Sequence, residues 1–152
     1  VTKHYFLNYE FDSRPEYERA AYLYSLAQAG IIQDLCMDKA LLKVQLCEGG
    51  IIPRHALRPA KMPKRGSKMR DLSYTPDFRF SYQGVIIAED VKGAYGDTKK
   101  TRAKKKANKP IVTDVSHVRQ RLYQMQNPHI IFRLVTIPTA DVDSVDSYYY
   151  LF

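Results

Sequence analysis

The sequence predicts an α/β fold, and three observations predict it. Helical periodicity opens the chain and returns after residue 113, strand-like stretches are grouped between the two helices, and one more apolar strand closes the pattern. The expected order is helix, strand, strand, strand, helix, strand, with no internal repeat. A length of 152 residues suits one domain, since a chain of that size buries a real core without a second one.

The first helix is expected over residues 14–29. Ser13 is its N-cap, Pro15 sits in the first turn, and Glu16 completes a capping box. Tyr17, Ala20, Ala21, Tyr24 and Ala27 recur at helical spacing, and Gly30 supplies the stop. From Ile31 to Leu46 the chain is rich in Ile, Leu and Val, reads as one long or two short strands, and ends at Gly49-Gly50. Cys36 and Cys47 fall in this stretch and its continuation with no CxxC spacing, which predicts reduced core thiols.

Residues 74–82 alternate aromatic and polar groups, and Val85 to Val91 follows through Gln83-Gly84, so the two form a hairpin. A second helix begins at Thr113 or Asp114, with Val115, Val118, Leu122 and Met125 as its apolar stripe, and stops at Asn127-Pro128. His129 to Thr136 is the last buried strand. The tail 137–152 ends in Tyr148-Tyr149-Tyr150-Leu151-Phe152, which either docks on the body or belongs to a dimer contact.

The net charge of +8 is segregated. Residues 54–71 and 92–109 hold fifteen of the twenty-four Lys and Arg and only two acids, so the rest of the chain is net −5. Two basic loops, 54–71 and 94–112, on an acidic body suit a polyanion whose neutralisation releases counterions, and DNA is the leading partner. Arg58, Lys61, Lys64, Arg65, Lys68 and Arg70 in the first loop, and Lys99, Lys100, Arg102, Lys104, Lys105 and Lys106 in the second, are the expected phosphate contacts. Few aromatics accompany them, so sequence-specific reading is not indicated. Solvated loops or an anionic membrane surface are the competing explanations. No apolar run approaches the roughly 18 residues of a membrane span, and no signal-peptide pattern appears, so a soluble cytoplasmic protein without a membrane partner is expected.

The hairpin carries the chemistry. With Gln83 and Gly84 as a two-residue turn, Tyr82 faces Val85, Phe80 faces Ile87, and Asp77 falls opposite Asp90. Their Cβ atoms would then lie about 4.5–5.5 Å apart, where two carboxylates repel unless one is protonated or a cation intervenes. Lys92 shares that face about 7 Å further on. Two acids and a lysine on one face suit phosphodiester hydrolysis, with magnesium or manganese as the cation and the lysine orienting water or steadying the phosphate. Glu16 is the natural third carboxylate, with Glu18 as its competitor. Glu89 would face Phe78 and Phe80 as a supporting acid, although a one-residue slip would exchange it with Asp90. His4, His55, His117 and His129 are scattered without zinc-like spacing, and Tyr74 and Tyr95 are candidates for stacking, phosphate contact or plain packing.

Pro76-Asp77 followed, after twelve residues, by Asp90-Val91-Lys92 resembles the signature of the PD-(D/E)XK nuclease superfamily. More closely, Phe11-Asp12-Ser13 with Glu16, Gly30-Ile31, Tyr74 with Asp77-Phe78, and Glu89-Asp90-Val91-Lys92-Gly93 resemble a phage-borne family of small endonucleases catalogued mainly as a domain of unknown function. The similarity covers about residues 11–136. It implies a restriction-endonuclease-like αβββαβ core with a mixed central sheet flanked by helices. It further implies metal binding by Glu16, Asp77, Asp90 and the Val91 carbonyl, with Lys92 assisting the water. The two basic loops are longer than that family leads one to expect, and they favour a branched substrate such as a Holliday junction over plain duplex. A phage-infected bacterial host and a homodimer are consistent with this picture. The alternatives are a non-catalytic basic nucleic-acid-binding protein, in which the acids are structural, and an assembly protein that recruits a partner through its aromatic tail.

Overall fold

The computed structural model describes residues 2–52, 54–55, 64–93, 114–143 and 148–150. Its elements run β1 (His4–Phe6), β2 (Tyr9–Phe11), α1 (Arg14–Gln28), β3 (Gln33–Cys36), α2 (Lys39–Leu42), β4 (Val44–Cys47), β5 (Leu72–Tyr74), β6 (Phe78–Tyr82), β7 (Val85–Val91), α3 (Asp114–Gln126), β8 (Ile130–Val135) and β9 (Tyr148–Tyr150). The main sheet has the order β3-β6-β7-β8-β9. It is mixed, because β7 and β8 are parallel while every other neighbouring pair is antiparallel. A parallel neighbour requires a crossover, and α3 lies in that connection.

Two helices cover the two faces of the sheet. On one face α1 buries Ala20 and Leu23 against Phe78, Phe80 and Ile87, together with Phe11 and Ile32. On the other, Tyr123 of α3 packs on Ala88, Ile130, Phe132 and Leu134. Strand alternation divides β7 accordingly: Ile87 and Val91 join the α1 layer and Ala88 the α3 layer.

The α1 cap forms as expected, since Ser13 is extended and its Oγ accepts from the Glu16 amide at 3.3 Å. The β6–β7 turn also forms as expected. Gln83 (φ 49°) and Gly84 (φ 80°) are both left-handed, the geometry of a two-residue turn that matches strand twist. Tyr82 therefore pairs with Val85, Phe80 with Ile87 and Phe78 with Glu89.

Other expectations need correction. Residues 31–46 are two short strands separated by a turn of helix, α2, started by Asp38, whose Oδ1 accepts from the Ala40 amide at 2.9 Å. Those strands lie in different sheets, β3 in the main one and β4 paired with β5. The stretch 74–82 is broken at residues 75–77, so Tyr74 ends β5 and β6 begins at Phe78. Cys36 is half-buried and Cys47 exposed, so neither is a buried core thiol; both are free. Of the expected apolar stripe of α3 only Leu122 packs against the core; Val115, Val118 and Met125 are 64%, 56% and 71% exposed. The inward face carries Gln120 and Tyr123 instead. The N-terminal hairpin β1–β2, turned through left-handed Leu7 and Asn8, had no counterpart in the sequence reading. In the C-terminal tail, Tyr148–Tyr150 docks as a strand beside β8. Among the described residues, no helix is long and apolar enough to cross a membrane.

One buried ion pair ties the α1 layer together. Arg19 and Glu89 are both fully buried, and the guanidinium meets the carboxylate through two bonds, Nε to Oε1 at 2.9 Å and Nη2 to Oε2 at 2.8 Å. Its Nη1 donates to the carbonyls of Pro138 and Ala140 at 3.0 and 2.6 Å. Bidentate geometry with the remaining donors satisfied is the arrangement in which burying two charges is tolerated. Helix α1, strand β7 and the chain after β8 are thereby joined at one point.

Candidate active site

Glu89 on the inner side of β7 leaves its neighbour Asp90 on the opposite side, toward α3. The amide of Asp77 donates to the Glu89 carbonyl at 3.0 Å, which carries the β6–β7 register one residue past β6 and brings Asp77 beside Asp90. The cross-strand pair is therefore formed as the turn chemistry predicts. Both acids are buried. Asp77 accepts from the Val91 amide at Oδ2 (2.8 Å) and from Lys39 Nζ at Oδ1 (3.0 Å). At Asp90, Oδ2 receives the Tyr74 hydroxyl at 2.8 Å, Lys92 Nζ at 3.0 Å and Gln120 Nε2 at 3.4 Å. All three share that oxygen, so Oδ1 stays outside this donor set.

Burial raises the Asp77 pKa well above the usual carboxylate range, the charge and hydrogen bond of Asp90 push it further, and Lys39 only partly opposes them. Glu16 is also raised, chiefly by burial, with Asp90 contributing and Lys39 and Ser13 opposing. The three acids therefore share one electrostatic environment. The close carboxylate pair pushes the Asp77 pKa up and draws an ammonium group onto each of its members, Lys39 onto Asp77 and Lys92 onto Asp90, as expected where neighbouring carboxylates repel. The Tyr74 hydroxyl, raised by burial and by Asp90, stays protonated and donates.

The acids open on a cleft of about 290 Å³, walled by Tyr74 and Thr75 on one side and by Ser116, Arg119 and Gln120 of α3 on the other, with Lys92 on its floor. This lining is polar and sets two cations, Lys92 and Arg119, beside the two acids, and those cations suit a phosphate. Among the described residues, no three His, Cys, Asp or Glu side chains already surround one point in ligand geometry. Asp77 and Asp90 supply paired carboxylate oxygens, the donor type that a hard divalent cation takes, and Glu16 is coupled to them electrostatically.

The expected site residues that fall among the described ones can be placed. Asp77, Asp90 and Lys92 meet at the cleft, and Val91 joins them through its amide bond to Asp77. Glu16 stands half-buried at the start of α1 within the field of both acids. Glu18 instead pairs with Arg14 on the surface at 3.0 Å, which removes it as the competing third acid. Glu89 faces Arg19 as a supporting acid. Lys64, Arg65, Lys68 and Arg70 are exposed on the segment that feeds into β5. Arg58, Lys61, Tyr95, Lys99, Lys100, Arg102, Lys104, Lys105 and Lys106 lie outside the described residues. His55, His117 and His129 are exposed, His4 packs beside Tyr17, and no histidine of the described residues lines the cleft.

Lys39 and Gln120 were missed. Reading 31–46 as strand hid the helical turn that presents Lys39. Gln120 was hidden because the aliphatic stripe of α3 drew attention to the wrong face. A usable signal existed, since Ser116, Gln120 and Tyr123 recur at spacings of four and three. The Gln120 side chain is fully buried, and its Oε1 has no hydrogen-bond partner among the described residues.

The profile of a family described as "protein of unknown function (DUF1064)" matches residues 2–136. No curated protein and no solved structure matches the chain.

Proposed function

The chain belongs to that family of unknown function, and we propose that it is a metal-dependent endonuclease that hydrolyses DNA phosphodiester bonds, with a preference for branched DNA such as a Holliday junction. One observation carries the reading: the cross-strand register sets Asp77 against Asp90 in a polar cleft, with Lys92 Nζ 3.0 Å from Asp90. With α2 and the separate β4–β5 pair set aside, the order α1, β3, β6, β7, α3, β8 on a mixed sheet is compatible with the αβββαβ core that the resemblance implies, and this supports the same reading.

A magnesium or manganese ion held by Asp77, Asp90 and Glu16, with the Val91 carbonyl as a further ligand, would supply Lewis acidity at the scissile phosphate. The protein's own residues do the positioning. Lys92, fixed by Asp90, presents N–H donors into the cleft, where it can orient the attacking water and steady charge developing on the phosphate. Arg119 offers a second cation from the α3 wall, with fork geometry suited to phosphate oxygens. Tyr74 and Gln120 hold the Asp90 carboxylate in place. Lys64, Arg65, Lys68 and Arg70, on the chain entering β5, extend positive charge from the cleft outward along a backbone. The lysine-rich sequence of the segment 94–112 supplies more positive charge than one duplex arm requires, which is the basis for preferring a branched substrate.

The test is a cleavage panel of four-way junction, flap, duplex and single-stranded DNA with magnesium. We expect divalent-dependent cutting, strongest on the branched forms. Salt-sensitive binding with no cleavage under any divalent ion would favour a non-catalytic binding protein instead.

A further inference from the structure

Lys39 is the least expected side chain of the site. It opens α2, four residues long, and its Nζ lies 3.0 Å from Asp77 Oδ1. Its side chain is 48% exposed while that of its partner is 12% exposed, so a solvent-accessible ammonium rests on a buried carboxylate. The two oxygens of Asp77 differ. Oδ2 is bonded to the Val91 amide, part of the β7 backbone, and Oδ1 is the oxygen left to meet a cation. Lys39 sits on it.

The second lysine behaves differently. Lys92 leaves the end of β7, is 27% exposed, and pairs with the Asp90 oxygen that Tyr74 and Gln120 also hold. It belongs to the fixed wall. Lys39 has a long flexible stem, a half-exposed position and Asp77 as its ion-pair partner among the described residues, and leaving Asp77 would return its charge to water without exposing apolar surface. Its charge also reaches Glu16, the third acid. One ammonium thus acts on both Asp77 and Glu16, two of the acids that would hold a divalent ion.

We propose that Lys39 is an exchangeable counter-ion, which holds Asp77 Oδ1 until a divalent cation takes it and then pairs with the substrate phosphate. The inference rests on reading Asp77 and Asp90 as the cation site. Cation and lysine compete for one oxygen, so empty protein binds metal weakly. A phosphate that accepts the displaced ammonium favours metal loading, and by linkage metal favours the phosphate. Lys39 is a positioning and selectivity residue in this scheme, whereas Lys92 is the catalytic lysine.

The test is calorimetric titration of manganese into wild type, Lys39→Met, Lys39→Arg and Asp90→Asn, with no nucleic acid present. A second measurement is duplex DNA binding in calcium. Lys39→Met is expected to bind manganese about tenfold more tightly, because a competing charge next to a divalent ion has been removed. Lys39→Arg should not tighten. Lys39→Met should also bind DNA several-fold more weakly in calcium, with Lys39→Arg restoring it. A gain in metal affinity cannot come from damage to the fold, so this readout separates the proposal from a structural role. Manganese binding that is lost in Asp90→Asn but unchanged or weaker in Lys39→Met would overturn the Lys39 proposal alone. Binding that is absent from every protein, or unaffected by Asp90→Asn, would overturn the cation site and the Lys39 proposal with it.

Discussion

Asp90→Asn is expected to reduce cleavage by about three orders of magnitude or more, the scale of losing one preorganised charged group at a transition state. The same substitution should leave the fold intact. Asparagine keeps the shape and still accepts from the Tyr74 hydroxyl, which reaches Asp90 Oδ2 at 2.8 Å in the wild type. It also removes the negative charge that helps to push the Asp77 pKa up. Apo stability should therefore hold or rise while activity disappears, the trade expected where a site stores electrostatic repulsion for function. Turnover and thermal melting on the same preparation check this. Cleavage within tenfold of wild type would remove Asp90 from the reaction.

Arg19→Met should have the largest effect on stability, a loss of about 3–5 kcal/mol. It leaves the Glu89 carboxylate, fully buried, without its bidentate partner, and it strips the Pro138 and Ala140 carbonyls of a donor. For a chain of this length the melting temperature should drop by roughly 10 °C. Arg19→Met combined with Glu89→Leu should recover much of the loss, since replacing both charges with apolar groups avoids the stranded carboxylate. Urea unfolding of the single and double variants measures both numbers. A loss under about 1 kcal/mol in the single variant would mean that the pair contributes no more than a surface bridge. The pair also has a geometric role. Glu16 lies one turn before Arg19 on α1, and Asp90 follows Glu89 on β7, so the contact that joins helix to strand also fixes where Glu16 stands relative to Asp90.

Local chemistry made the centre of the site legible. Gln83-Gly84 dictates a two-residue turn, the turn dictates the register, and the register sets Asp77 against Asp90; each step involves residues near in sequence. The α1 start was readable for the same reason, because Ser13 caps the amide of Glu16 three residues away. What was not readable depends on long-range packing. The period of α3 gives two stripes, and the aliphatic one, Val115, Val118 and Met125, is the natural choice for the core. The structure turns the other stripe inward, because Tyr123 fills the α3 layer while Gln120 bonds to Asp90 and Tyr74. Lys39 was invisible for a related reason. Its 38-residue separation from Asp77 is bridged only once β3 pairs with β6.

Under the proposed function, Asp77, Asp90 and Glu16 repel one another and a hard cation relieves them. Asp77 and Glu16 have folded-state pKa values above their ordinary ones, with burial the first cause in each case. Their contribution to stability is therefore fully present below the ordinary carboxylate range, and it is lost as pH rises through the folded values. A cation that binds only the folded, deprotonated form restores it. The decisive measurement is melting with and without millimolar magnesium at about pH 4 and about pH 8. The account predicts almost no magnesium shift at the lower pH and a clear rise at the higher, abolished in Asp77→Asn. A shift that is absent at both values, or retained in Asp77→Asn, would contradict it.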